Sequence, residues 1–358
     1  MADWVKKVLA VLHAKTDNLD ELREIAGGDP KTFYRGANFR NSDLTGQPIT
    51  KSDLSCADLS KATLPEGFLE VVEAKAELDK CAPASFEWGV AQHRLGWSLI
   101  NQSYHTDGAE GADLLAGAVT AFRNALEVRT RADHPVQWVA TQYNLGAALH
   151  EQGTRTDGAE GADLLAGAVT AYRSALEVYT RADHPMDWAM AQNTLAIALK
   201  DQGIRTEGAE GADLLAQAIT AFRSALEVYT RADHPMDWAM TQNYLGNALR
   251  NQGTRTQGAA GADLLAGAVS AYRAALEVLT HADEPLDWGM TLENIAICEA
   301  SRAEHDSCHD PRPPLTAALE AVNNALTVYD PVHLSHNHAK ATPLSDRLQA
   351  KLDALPPE

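Results

Sequence analysis

The sequence predicts an all-α fold, a solenoid of about five antiparallel helix pairs, on three observations. Gly-Ala-Asp-Leu-Leu-Ala begins at Gly111, Gly161, Gly211 and Gly261, a spacing of 50 residues. Self-similarity at a fixed period of this order marks solenoids and propellers. Within one copy, Leu165, Ala168, Tyr172, Ala175 and Tyr179 fall on one stripe of a helix, and Trp188, Ala191, Leu195 and Ala198 fall on a stripe of a second. No strand pattern separates the two, which removes the propeller. Residues 161–210 and 211–260 are identical at 38 of 50 positions. Drift this small implies recent duplication or selection for one repeated surface.

The elements follow in order along the chain. Residues 3–14 and 19–26 read as short helices, the second with Asn18 or Asp17 as N-cap. Residues 65–80 read as a helix covering the first repeat. In each pair Pro185 suits the first helical position, His184 precedes it in a non-helical conformation, and Asp187 lies in the positive first turn. Gly203 is placed as a C-terminal cap, and Gly158 and Gly161 as turn residues in the loop 154–160. Leu344, Leu348, Leu352 and Leu355 make residues 343–355 a terminal helix, which a solenoid needs to cover its last apolar face. The expected divisions are 1–34 (N-terminal helices), 35–66, 67–330 (solenoid) and 331–358 (tail with capping helix).

These residues carry a family resemblance. Leu145-Gly146 followed by Leu149, with Ala168, Tyr172, Ala175 and Leu176 in the next helix, resembles the tetratricopeptide (TPR) signature. The set recurs at Leu95-Gly96, Leu195-Ala196, Leu245-Gly246 and Ile295-Ala296, and covers about residues 84–330. Two departures stand out. The period is 50 rather than about 34, with the extra length assigned to longer helices and the 154–160 loop. The recurrent Trp88, Trp138, Trp188, Trp238 and Trp288 lie seven residues before the Leu-Gly position. The pattern is similar to the long-repeat arrays of bacterial signalling proteins, some accompanying caspase-like (CHAT) proteases, and to the kinesin light chain type. Earlier in the chain, Phe39, Leu44, Ile49, Leu54, Leu59 and Leu64 recur every five residues. Most have a small residue two positions before, so residues 35–66 resemble a short pentapeptide-repeat β-helix coil that caps or docks onto the solenoid.

Composition narrows the partners. The 358 residues are 45% hydrophobic and 22% charged, which suits a folded chain. Lys and Arg number 30 against 49 Asp and Glu, a net charge of −19. A field of this sign repels phosphate backbones, so no nucleic acid and no anionic membrane is expected as a partner. No apolar run approaches the length of a membrane span, and residues 8–12 are too short an apolar run for a signal peptide. Four cysteines make no disulfide framework, so a reducing cytoplasm is the expected location.

The sequence carries little that points to chemistry. No phosphate-binding glycine loop, nucleophile elbow, zinc-protease helix or kinase signature is present, so the protein is expected not to be an enzyme and to hold no cofactor. Cys298, His305, Cys308 and His309 form the one metal-like cluster, with spacings unlike zinc-ligand turns. A buried Cys298 facing the repeat core with surface histidines is the expected alternative, and no metal is expected. His134, His184 and His234 suggest either a pH sensor or helix capping. Arg131, Arg181 and Arg231 suggest either an anion ladder or pairing with Asp133, Asp183 and Asp233. The tryptophans suit packing between repeats rather than ligand contact.

The TPR resemblance implies a concave groove lined by the first helix of each pair. Its contact positions lie two before, two after and five after the motif Leu. Here the first row is His93, Tyr143, Asn193, Asn243 and Glu293. The second includes Trp97, Ile197 and Asn247, and the third Ile100, His150, Lys200 and Arg250. Asparagine amides can hold a peptide backbone through donor and acceptor together. The chaperone-binding carboxylate clamp of the family is not reproduced, because the lysines and asparagines do not coincide. Divergence along these rows, against near-constant stacking residues, is what a specific binding surface or neutral drift would leave. The expectation is a scaffold or adaptor that binds a protein or peptide partner. Alternatives are a regulatory subunit of a separate effector enzyme, or a homo-oligomer that stacks end to end into filaments.

Overall fold

The computed structural model describes residues 68–356, and these residues form helices without a strand. The two helices expected at 3–14 and 19–26 and the coil at 35–66 lie outside the described residues. Contacts divide the chain into two compact units that meet in sequence at His134 and Pro135.

The first unit holds α1 (Phe68–Leu78), α2 (Phe86–Ser103) and α3 (Gly108–Val128). Helix α1 packs on α2, as the covering role of residues 65–80 requires, and buries Val71 and Ala74. Ser85 caps α2, its Oγ accepting from Trp88 N at 3.0 Å. The pair α2 and α3 then sets the pattern for the rest.

The second unit repeats that pattern in four further pairs. They are α4 (Pro135–Arg155) with α5 (Gly158–Leu176), α6 (Pro185–Arg205) with α7 (Gly208–Ala225), α8 (Pro235–Gly253) with α9 (Gly258–Ala275), and α10 (Pro285–Glu304) with α11 (Arg312–Leu326). A last helix, α12 (Ser335–Asp353), packs on α11 and buries Ala341, Leu344 and Leu348. It starts eight residues before the expected Pro343, which sits inside it on the exposed side.

Inside each pair the core is the predicted one. Leu195, Ala198 and Leu199 of α6 meet Leu215, Ala218, Phe222 and Ala225 of α7, all buried. Small residues set the helix separation. A Cβ on Gly246 would lie 2.6 Å from the Tyr272 ring, and one on Gly146 2.8 Å from the Tyr172 ring. The tryptophans are half-buried and do pack: Trp238 lies against the cluster of Ala189, Ala225 and Tyr229 and against that of Ala239, Ala275 and Leu279. It thereby joins two successive pairs.

The turns correct three expectations. Gly203 is not a C-cap, because α6 runs on to Arg205. It is a helical residue at a close approach, where a Cβ would lie 3.1 Å from Gly211 O and Leu215 Cγ. The loop expected at 154–160 shrinks to Thr156 and Asp157, so the long period resides in the helices and in the links between pairs. Of its glycines, Gly158 opens α5 at φ +70, a left-handed conformation that favours glycine. Gly161 is buried within α5, with no room for a Cβ beside Thr156 O.

The links between pairs correct two more. His184 and His234 stand at the N-cap positions, but neither imidazole caps the helix. Their rings lie edge-on to Tyr179 and Tyr229, with centroids 5.8 and 6.1 Å apart. The turn is tied by Thr180 and Asp183, with Asp183 N donating to Thr180 Oγ1 at 3.1 Å and that hydroxyl donating to Asp183 Oδ2 at 2.7 Å. Asp183 and Asp233 are thus occupied, and Arg181 and Arg231 pair instead with Glu227 and Glu277 of the next repeat. These exposed pairs contribute at most about 1 kcal/mol each.

A stronger tie uses Arg205 and Arg255. Arg205 reaches back one repeat and donates to Gly153 O (2.6 Å), Thr156 O (2.7 Å) and Thr154 O (2.8 Å) at the C-terminus of α4. Arg255 does the same to Gly203 O, Thr206 O and Ile204 O at the end of α6. A cation here satisfies carbonyls the helix leaves open and opposes the negative end of its dipole. At the last junction His305 takes over, its Nε2 donating to Thr256 O at 2.9 Å, while Asp306 accepts from Gly258 N.

Two stability effects follow. Arg255→Met removes three charge-assisted bonds and is expected to cost about 2–4 kcal/mol in chemical denaturation. Gly246→Ala drives a methyl into the Tyr272 ring and is expected to cost about 1–3 kcal/mol, whereas Gly108→Ala, with open space around it, should cost only the strain of its positive φ.

Candidate partner-binding face

The first helices of the second unit lie side by side. Helices α4 and α6, α6 and α8, and α8 and α10 touch directly, while α5, α7 and α9 each pack against the first helices on either side. The second helices reach one another through long side chains, as where Arg173 Nη2 donates to Gln217 Oε1 at 2.6 Å. The closer-spaced side of this unit is therefore the first-helix side, and the three rows of candidate residues stand on it.

The first row is a tie between repeats as much as a surface. Asn193 Oδ1 accepts from Thr241 Oγ1 at 3.2 Å. Asn243 Nδ2 donates to Thr291 Oγ1 at 2.9 Å, and Asn243 Oδ1 accepts from Asn294 Nδ2 at 3.0 Å. Asn243 is 8% exposed and engaged at both ends of its amide. Its donor and acceptor, expected to meet a peptide, are spent on α10. Tyr143 is half-buried with its ring 5.5 Å from that of Tyr172. Glu293 Oε2 accepts from Tyr329 OH at 3.1 Å, and burial together with this carboxylate pushes the Tyr329 phenol upward.

The second and third rows are more open. Asn247 is half-buried, and its Oδ1 accepts from Tyr272 OH at 3.0 Å. His150 and Lys200 are brought together by a residue the sequence reading missed, Asp201. His150 Nε2 lies 2.8 Å from Asp201 Oδ2, and Lys200 Nζ lies 2.8 Å from Asp201 Oδ1. Burial alone would raise the Asp201 carboxyl, but the His150 hydrogen bond and the Lys200 charge outweigh it and hold it below the usual range. Arg250 is half-buried and its guanidinium lies against the Tyr272 hydroxyl.

In the first unit, Trp97 on α2 is 51% exposed, whereas Ile100, expected in the third row, is buried. His93 is half-buried with its ring edge-on to Phe122 at 5.4 Å. Burial, and next the nearby Arg129 charge, lower its pKa to about 4.

An apolar band on the same helices also escaped the sequence reading. Val136, Met186, Met190, Met236, Leu286 and Met290 are all exposed. Met186 and Met190 stand one turn apart near the start of α6, and Ile197 and Ile204 continue their stripe. The signal was legible as apolar residues just after each Pro185-type position. The motif-based positions two before, two after and five after each Leu do not include it.

The metal-like cluster resolves into separate roles. Cys298 is fully buried and its thiol donates to Leu265 O at 3.5 Å. His305 holds the last junction and Cys308 donates to Asp310 O at 3.3 Å. Among the described residues no group of His, Cys, Asp or Glu is arranged to hold a metal, and no helix is long and apolar enough to cross a membrane.

The described chain thus belongs, by architecture, to the helical-repeat class of α-solenoids. No family model matches it, and no curated protein matches it. Among solved structures, the crystal structure of BtubC (BKLC) from P. vanneervenii aligns at 15% sequence identity with a TM-score of 0.39. The alignment covers 82% of this chain and 94% of that one, a likeness too distant to carry an argument about function.

His93 gives a pH prediction. Its folded pKa, about 4, lies below the unfolded value of about 6.5, so the unfolded chain binds the extra proton between these values. Its contribution is fully present above pH 6.5 and is lost progressively as pH falls toward 4. His93→Gln should therefore lose about 2 kcal/mol less than the parent between pH 7 and pH 5, read from denaturant unfolding at the two pH values.

Proposed function

We propose that the protein is a non-enzymatic scaffold of TPR type, which binds a protein or peptide partner along the first-helix face. One observation carries the reading: a band of large apolar side chains stays exposed on successive first helices that otherwise bury their apolar stripe. An exposed apolar patch on a folded protein marks an interaction surface, and methionine adapts its shape to what it meets. The residues beside the band support the reading. Seven of the twelve differences between 161–210 and 211–260 fall within the first helix, at 191, 194, 196, 197, 200, 201 and 204. Five of these, at 194, 197, 200, 201 and 204, are not buried in α6. Tyr143, His150, Lys200, Asn247, Arg250 and Glu293 are the polar and aromatic candidates for partner contact on the second unit, and Trp97 is a separate candidate on the first. Asn193 and Asn243 support them from beneath by fixing the helix spacing.

Affinity purification of the parent protein from a lysate of its source, followed by mass spectrometry, supplies the partner. Met186→Glu, Met236→Glu and Met290→Glu combined should then reduce its recovery at least tenfold with the thermal midpoint within a few degrees of the parent. Undiminished recovery would place the partner elsewhere.

A further inference from the structure

The methionines of this chain are not scattered. Met1 apart, the sequence holds Met186, Met190, Met236, Met240 and Met290, and all of them lie within the first two turns of α6, α8 and α10. Met186 is 40% exposed, Met190 37%, Met236 39% and Met290 43%, while Met240 is half-buried. The buried apolar core of the described residues consists of Leu, Ala, Val, Ile, Phe, Tyr and Cys298, and holds no methionine. Methionine is an ordinary core filler. Its confinement to one exposed band separates thioether chemistry from packing.

The repeats supply the comparison. By the 50-residue period, Met186 and Met190 are equivalent to Phe86 and Val90, Val136 and Ala140, Met236 and Met240, and Leu286 and Met290. These positions accept apolar side chains of several shapes. Leu286 fills the place of Met186 and Met236 at 42% exposure, so packing does not demand a thioether there. In α6 and α8 both positions carry one, a single turn apart on the same side of the helix. A thioether has a reactive sulfur lone pair, which leucine lacks.

That lone pair reacts with two-electron oxidants of the peroxide class. The sulfur attacks one peroxide oxygen, the O–O bond breaks and an S–O bond forms. The sulfur-bound hydroxyl then gives its proton to the departing hydroxide, which leaves as water. Sulfur is oxidised by two electrons and the peroxide is reduced by them. Hydrogen peroxide is uncharged, so the net charge of −19 does not repel it. The product is a polar sulfoxide where an apolar side chain stood.

The rest of the described fold is insulated from this chemistry. Cys298 is buried, and burial pushes its thiol up to about 12, which removes the reactive thiolate. The half-buried thiols of Cys81 and Cys308 each donate to a backbone carbonyl of their own segment. The ties made by Arg205, Arg255, Asn193 and Asn243 contain no sulfur.

We infer that Met186, Met190, Met236, Met240 and Met290 form a reversible oxidation site, at which a peroxide turns the band from apolar to polar and releases a bound partner while the fold stays intact. This rests on the band being the partner-binding surface.

The test treats the full chain with hydrogen peroxide and then with dithiothreitol, which returns sulfenates and disulfides to thiols and leaves sulfoxides in place. Peptide mass spectrometry should find one added oxygen on each of Met186, Met190, Met236 and Met290, with Met240 slower, at a thermal midpoint within a few degrees of the parent. Binding of Nile red, an uncharged apolar dye, should fall at least twofold, and the two methionine sulfoxide reductases together should restore it. Replacing all five methionines by leucine conserves volume, and this variant should bind the dye equally before and after peroxide. Should it not fold, Met186→Leu with Met236→Leu, which copies Leu286, should lose less dye than the parent. The partner found by affinity purification should be recovered at least tenfold less on the oxidised parent and undiminished on the oxidised leucine variant. Dye binding that ignores oxidation, an equal loss in the leucine variant, or a thermal midpoint that collapses with oxidation would overturn the site. If the glutamate variants lose the partner while the sulfoxide form keeps it, the switch fails and the face reading stands. If oxidation releases the dye reversibly while the glutamate variants keep the partner, the face reading fails and only the oxidation chemistry stands.

Discussion

Three of the five described pairs rest on one close approach, a glycine on the first helix facing an aromatic ring on the second. Gly96 meets Phe122, Gly146 meets Tyr172 and Gly246 meets Tyr272, each with less than 3.0 Å available to an added Cβ. At this separation Leu245, Ala248 and Leu249 interdigitate with Leu265, Ala268 and Ala275, all buried. Close packing of this kind transmits any change in separation to every later contact. The tyrosine or phenylalanine ring is therefore both filler and spacer. Where the ring is tyrosine, its hydroxyl reaches the first-helix side, as Tyr272 does to Asn247.

Joining pairs to one another uses a different chemistry. Trp238 supplies apolar area across a junction, but direction comes from polar ties that span about one repeat. Arg205 and Arg255 cap the previous first helix, and the Asn193–Thr241 and Asn243–Thr291 bonds link first helices at mid-length. Buried polar groups of this kind are costly unless satisfied, so they penalise a slipped register more than an apolar contact would. Each repeat contacts its neighbours only, and the array's regularity depends on these ties being copied with the period.

The same copying shapes the exposed side of the first helices. Positions that build pairs and junctions vary less between copies, so most of the first-helix variation falls on residues that are not buried. On the first helices the methionine band is repeated, Met186 and Met190 recurring as Met236 and Met240, while in the third row Lys200–Asp201 becomes Arg250–Asn251.

Much of this was legible in the sequence, and the exceptions have particular causes. The 50-residue period, the two stripes per copy and the Leu-Gly positions dictated the pairs, the small-against-aromatic contact, the buried Cys298 and a terminal helix, because helical periodicity is local and repeats amplify it. Gly203 misled because a glycine near a helix end suits a cap and a close approach equally. Only the position of Gly211 O decides between them. Arg181 and Asp183 misled because neighbours in sequence suggested a pair, while Glu227, 46 residues away, lies closer in space. The sequence by itself determined which residues make each helix pair. Tertiary structure alone decided which polar side chains are consumed between repeats and which remain open to solvent. Donor and acceptor satisfaction depends on groups about 50 residues apart, and only the stacked fold brings those together.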